Sequence, residues 1–365
     1  MSKLLLHGCC QINNFGDVLL MDLLARHVAG RWDGEVVIPW LVEAAHGQVP
    51  ATAGRGWRDL FGGRAAVLGG GGYLNDGDGA PGSVRRLLRY SGPARLWRAM
   101  GVPYAVVGVG AGPIGSKTGA ARIAAVCRGA KRLCVRDTAT ADLLVKAGVP
   151  SGAMEVTADL VLSLTPADVP AEATAAAEAL LGPKPEGKRR LAVHTSKAGG
   201  DGKQIQRLAE AVGEVVAGDE RVEVCWIFDH GNRHLDEVRA AAGKHLPGAK
   251  VIPHQPHWPT VALIGAMDGV LTTKLHVGIT AWAMGVPACG FSAHIKSKRF
   301  YEQVGRQRFQ ADYSDDPAPI RRWLGEFVDS PQTFAEEDAS ARETLPRAAR
   351  RNLEVVDEFL DEYAR

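Results

Sequence analysis

Lys274 and His276 lie two residues apart in the stretch Val270–Ser292, with Lys296 and Lys298 shortly after it. The stretch reads as a short apolar strand, a polar turn carrying Lys274 and His276, a helix, and a second strand from Val286. In open α/β sheets ligands bind outside the carboxyl ends of strands, so the turn holds its ammonium and its imidazole where a ligand would sit. Lys296 follows the next strand and returns to the same edge. Cations beside a helix N-terminus suit a small anion, which points to phosphate or carboxylate chemistry. Histidine adds an acid or base that works near neutral pH. The plainer readings are a buried structural His276 and a solvated basic face of Lys274, Lys296, Lys298 and Arg299.

Five other segments place polar or cradle-forming groups at strand ends. Asn13-Asn-Phe-Gly-Asp17 follows the first strand, and Asn14 and Asp17 there can contact a substrate or simply cap the next helix. Gly69–Gly72 has no Cβ along four residues, so Gly70 and Gly71 permit close approach of a ligand or of another backbone. Gly110, within Gly108-Val-Gly-Ala-Gly-Pro113, has the same capacity. Neither glycine run has P-loop or dinucleotide-binding spacing, which argues against NAD. Arg136 stands just past a strand and can fork onto an anion, although an internal pair with Asp137 or Asp159 is the commoner arrangement for an isolated arginine. Asp229 and His230, after another strand, are candidates for contact with an acceptor. The histidine and cysteine spacings match no metal site, and none is expected.

The elements that must position these residues alternate strand with helix in both halves. Strands are expected at Leu4–His7, Glu35–Ile38, Ala65–Leu68, Tyr104–Gly108 and Arg132–Val135, and helices at Val18–Val28, Val84–Met100 (with a break at Gly92-Pro93) and on to Lys146. Thr165–Lys188 is rich in Ala, Pro and Glu and reads as a connection holding one short helix. The alternation then restarts at Arg190. The expected organisation is an N-terminal Rossmann-like domain over 1–165, a linker over 166–188, and a C-terminal Rossmann-like domain over 189–330. A helical segment over 331–365 would cross back to the first domain. The fold class is α/β, two Rossmann-like domains facing a cleft in the GT-B manner, with Arg136, His276 and Lys296 expected to converge there.

Bulk composition narrows the class further. The chain has 365 residues, suiting two domains. Its 43 basic residues against 41 acidic ones give a net charge of +2, so nothing in the total calls for nucleic acid. No run approaches the length of a membrane-spanning helix, and a cytoplasmic protein is expected. The six cysteines, Cys9, Cys10, Cys127, Cys134, Cys225 and Cys289, lie mostly in or beside apolar runs, as buried thiols do.

Taken in order, Asn13–Asp17, Gly69-Gly-Gly-Gly-Tyr73, Gly108–Pro113, Val135-Arg-Asp137, Ala158-Asp159, Lys274-Leu-His276, Gly285-Val-Pro287 and Lys296 form a set that resembles the polysaccharide pyruvyl transferase family. The resemblance implies a GT-B-like fold. It also implies transfer of the enolpyruvyl carbons of phosphoenolpyruvate onto a saccharide or lipid-linked saccharide as a ketal, with phosphoenolpyruvate as donor substrate and no separate cofactor. The positions matching the family's functional arginine, histidine and lysine are Arg136, His276 and Lys296. One departure stands out: the family usually has arginine two residues before the histidine, and here it is Lys274, which keeps the charge but loses the fork. Two other readings stay open, a GT-B glycosyltransferase using a nucleotide sugar and a non-catalytic relative that binds an anionic ligand.

Overall fold

Near-continuous apolar runs such as Leu4-Leu-Leu6, Ala65–Leu68 and Leu191-Ala-Val193 do not alternate as half-exposed strands would; they are the pattern of strands covered on both faces. The computed structural model describes residues 2–72, 74–77, 83–195, 203–232, 234–291, 294–311, 317–334 and 339–364. Tyr73 and Ser292, named above, lie outside the described residues. The chain forms two compact units, Met1–Ser163 with Leu345–Arg365, and Leu164–Thr344.

The first unit runs β1 (Lys3–His7), α1 (Phe15–Ala29), β2 (Glu35–Ile38), β3 (Thr52–Ala53), β4 (Gly63–Gly69), α2 (Ser83–Ala99), β5 (Tyr104–Val109), α3 (Lys117–Gly129), β6 (Arg132–Val135), α4 (Thr138–Lys146) and β7 (Glu155–Val156). Its sheet has the order β3-β2-β1-β4-β5-β6-β7. The second unit runs α5 (Ala171–Leu181), β8 (Arg189–His194), α6 (Lys203–Val216), β9 (Val222–Ile227), α7 (Leu235–His245), β10 (Lys250–Val251), α8 (His257–Gly265), β11 (Gly269–Thr272), α9 (Leu275–Ala283), β12 (Ala288–Phe291), α10 (Ile295–Gln303), β13 (Gln310–Ala311) and α11 (Ala318–Asp329). Its sheet has the order β10-β9-β8-β11-β12-β13. Both orders reverse beside their first strand, between β1 and β4 and between β8 and β11, which is where doubly wound sheets open a crevice.

Three details differ from the sequence reading. The first helix starts at Phe15, because Asn14 caps it by accepting from the Gly16 N–H at 3.2 Å. Thr165–Lys188 holds the one short helix expected, α5, but belongs to the second unit, where α5 packs on α8 and Arg190 Nη2 donates to the Gly182 carbonyl at 2.7 Å. The last helix, α12, begins at Ala339 and runs to Tyr363. Its part from Leu345 belongs to the first unit, where Asn352 Nδ2 donates to the Ala158 carbonyl at 2.9 Å and Thr157 Oγ1 donates to Asn352 Oδ1 at 2.7 Å.

The expected break in α2 does not occur, and the reason lies at the end of β1. Pro93 has no N–H to give the carbonyl four residues earlier, that of Arg89. His7 Nε2 stands 3.1 Å from that oxygen and is placed to donate to it. The imidazole is fully buried, beside Trp40 and Trp97. Gly92 completes the fit, since a Cβ there would come within 2.8 Å of the Trp57 ring.

Burial pushes the His7 pKa down to about 4, against a smaller upward pull from the Arg89 carbonyl. The unfolded chain therefore binds a proton between pH 6.5 and 4 that the folded chain refuses, and stability is lost as pH falls through that window. The loss due to His7 is about 3 kcal/mol. In His7→Gln, which keeps a donor and cannot titrate, urea unfolding at pH 7 and pH 4.5 will show a correspondingly smaller difference. Equal pH dependence in the two proteins would mean that His7 does not fold in the neutral form.

Candidate functional site

At the crevice of the second sheet the last residues of β8 and β11, His194 and Thr272, are register partners. Their side chains meet: His194 Nδ1 lies 2.8 Å from Thr272 Oγ1. His194 Nε2 lies 3.0 Å from Asp229 Oδ1, just past the end of β9. Thr272 Oγ1 also accepts the Lys274 N–H at 2.9 Å. Nε2–H donates to the carboxylate, and Nδ1 is paired with the Thr272 hydroxyl. Both His194 and Asp229 are buried, at 0% and 2% exposure.

Lys274 closes this network. Its Nζ stands 3.0 Å from Asp229 Oδ2, a close ion pair whose angles fall outside hydrogen-bond geometry. Burial pushes the Asp229 carboxyl up, but His194 and Lys274 more than offset it and hold the group well below the usual carboxylate range. Lys274 is also the N-cap of α9, so His276 falls in the first turn of that helix, where it is buried. Backbone N–H groups and the positive end of the helix dipole are concentrated there.

Lys296 lies in the first turn of α10, the helix that follows β12, and is half-buried. Since β12 pairs with β11, Lys296 and His276 open consecutive helices at one sheet edge. Lys298 does not join them: two positions along a helix is another face, and it is exposed. His230 is likewise exposed beside the buried Asp229.

The first unit holds the remaining candidates. Arg136 follows β6, is buried, and donates from Nη1 to Asp159 Oδ2 at 3.2 Å, with Nε 3.5 Å from Asp137 Oδ2. It therefore makes both internal pairs that the sequence left open. Gly110 makes room for it, since a Cβ there would stand 2.6 Å from Arg136 Nε. Gly70 has φ +67° and its hydrogen faces Leu20, so helix packing and backbone conformation account for it. Gly71 has φ +79° and faces Asp17 Oδ1, which a Cβ would approach to 3.2 Å. It stays beside the Asn14–Asp17 turn at the crevice of the first sheet. Among the described residues no cluster of three or more His, Cys, Asp or Glu is arranged to hold a metal ion.

Sequence reasoning passed over His194 and Thr272. A signal existed: the first strand of each half, Lys3–His7 and Arg189–His194, is an apolar run ending in histidine.

The family model described as polysaccharide pyruvyl transferase matches residues 14–294. Among curated proteins no sequence matches the chain. Solved structures share its fold. One is MnaA of S. aureus with UDP, at TM-score 0.68 and 12% identity, covering 100% of this chain and 98% of that one. A UDP-GlcNAc 2-epimerase from Neisseria meningitidis bound to UDP-GlcNAc gives 0.66 and 10%, with coverage of 98% and 100%. A putative UDP-N-acetylglucosamine 2-epimerase from Listeria monocytogenes gives 0.71 and 14%, with coverage of 99% and 97%. At such identities the likeness is one of fold, two parallel-sheet α/β domains of GT-B-like type.

The pairing of Asp229 with Lys274 can be measured by a double-mutant cycle. Asp229→Asn removes the charge that both partners face and will lower unfolding free energy by about 2–4 kcal/mol. Combined with Lys274→Met, the total loss will fall short of the sum of the single losses by about 1 kcal/mol or more. Strictly additive losses in urea unfolding would show that the ammonium and the carboxylate do not act as a pair.

Proposed function

Because the chain belongs to the polysaccharide pyruvyl transferase family, we propose that it takes the enolpyruvyl group of phosphoenolpyruvate and sets it on a saccharide as a pyruvate ketal. The observation that carries this reading is His276 in the first turn of α9, beside the N-cap Lys274, at the crevice of the second sheet. An acid–base group and cations around a helix N-terminus suit a donor with both a phosphate and a carboxylate.

The residues take the following roles. His276 delivers a proton to the donor's methylene carbon, which becomes a methyl group and leaves an oxocarbenium-like centre at the adjacent carbon. One sugar hydroxyl adds to that centre, the bond to phosphate breaks, and a second hydroxyl closes the ketal. Of the two hydroxyl protons, one restores the acid and the other leaves with phosphate. Lys296 and the α9 N-terminus supply positive charge toward the donor's anionic groups. Lys274 contributes less charge than its type suggests, because Asp229 already faces it at 3.0 Å. In the first unit the proposal keeps Arg136, whose charge Asp159 and Asp137 already face, as a hydrogen-bond donor, and the Asn14–Asp17 turn, with Gly71, as polar contacts for substrate. Phosphoenolpyruvate enters as substrate and not as a resident group. The acceptor is a saccharide, free or lipid-linked.

A second reading has one observation behind it: the neighbours in fold include proteins solved with UDP and with UDP-GlcNAc. Here the same crevice would hold a nucleotide sugar. Thermal shifts separate the two, because a ligand that binds only the folded state raises the melting temperature. Phosphoenolpyruvate will stabilise the protein and UDP-sugars will not; the reverse result would favour the second reading.

The acid role is tested by His276→Asn, which keeps a polar side chain at the start of α9. Single-turnover release of phosphate from phosphoenolpyruvate, with a sugar acceptor present, will fall about 10²–10⁴-fold at nearly unchanged melting temperature. Near-normal release from the folded variant would leave His276 a structural residue.

A further inference from the structure

Charge is nearly balanced over the whole chain, 43 basic residues to 41 acidic, yet α2 carries five arginines and α3 one lysine and two arginines, with no Asp or Glu in either helix. The two helices pack side by side on one face of the first sheet. Arg95, Lys117 and Arg122 line a groove of about 400 Å³ between them. Arg95 and Lys117 are exposed, and Nη1 of Arg122 is buried with no hydrogen-bond partner among the described residues. Asp59, on the turn beside α2, is half-buried and accepts the Arg55 N–H, and Arg55 and Arg58 are exposed on the same turn.

The same face presents apolar side chains to solvent. Leu88, Gly92 and Arg95 follow each other at helical spacing along α2, and the Trp57 ring lies over Gly92. Trp57 is 52% exposed and Leu88 43%. Phe61 and Met100, at the ends of these same segments, are exposed as well. A soluble polyanion such as nucleic acid or an acidic polymer needs the cations but has no use for a bare leucine beside them. A bilayer interface uses both: aliphatic and aromatic groups enter the headgroup boundary while Lys and Arg reach anionic lipid heads.

We propose that the face made by α2, α3 and the Trp57 turn docks the protein on an anionic lipid surface. The inference is independent of the donor chemistry, since it concerns binding and not turnover.

Vesicle sedimentation with the full chain tests it, using phosphatidylcholine vesicles with and without phosphatidylglycerol. Binding is expected to the anionic vesicles only, and to be largely lost at about 1 M salt. The double variant Arg95→Glu/Lys117→Glu, both positions exposed, will weaken binding at least ~25-fold, about fivefold for each basic residue removed. Leu88→Ser, with every charge intact, will weaken it severalfold. Melting temperatures of both variants are expected to match the parent, and circular dichroism verifies this. Equal binding to both vesicle types, no binding to anionic vesicles, or unchanged binding in the charge variant overturns the proposal. So does binding to polyphosphate as tight as to vesicles together with indifference to Leu88→Ser, a result that would assign the face to a soluble polyanion.

Discussion

Every strand pair in the two sheets is parallel. Parallel neighbours cannot be joined by a tight turn, so each strand hands the chain to a crossover that brings it back to the starting edge. Everything that follows a strand is thereby gathered at one edge, whatever the sequence separation. Asn14, Gly71, Gly110 and Arg136 share that edge in the first unit, and His194, Asp229, Lys274, His276 and Lys296 share it in the second. Some of the groups gathered there are buried, Asp159 and Asp229 among them. A charge set there must be matched where it stands. Both units use the same solution, a basic side chain laid against a buried aspartate: Arg136 on Asp159 and Lys274 on Asp229. What distinguishes the two edges is the imidazole pair of the second, His194 within the network and His276 at the helix start.

The strands and most helices were legible because a run covered on both faces leaves a plain apolar signal, and because glycine and proline mark its ends. Glu35–Ile38 and Arg132–Val135 fall where periodicity puts them. The Lys274–His276 turn was legible for a related reason, since a strand followed by a helix can be read locally. The role of His194 was not, because it depends on pairing with Thr272, 78 positions away, and with Asp229, 35 positions away. Register across a sheet leaves no trace in either segment alone. Arg136 is an intermediate case: its possible partners were nameable from the sequence, but only coordinates show that it holds two carboxylates at once.

Proline 93 makes the same point about local rules. A proline within a helical pattern ordinarily marks a break, since it strands a carbonyl and crowds the preceding turn. Here the stranded carbonyl meets a ring nitrogen from the end of β1, and the helix continues. The exception rests on a tertiary donor that no window around Pro93 contains. It also fixes His7 as neutral, so a backbone repair and a pH sensitivity come from one side chain.

The assignment of Leu345–Arg365 to the first unit has a consequence for the order of assembly during synthesis. A chain made from its N-terminus releases residues 164–344 before residues 345–365. At that moment the second unit holds all its residues, whereas the first still lacks Val355, Val356, Phe359 and Leu360, which it buries, and the Asn352 amide that meets Thr157 and Ala158. The part made first is thus the part finished last, and until then it presents an empty apolar seat to whatever else is in solution.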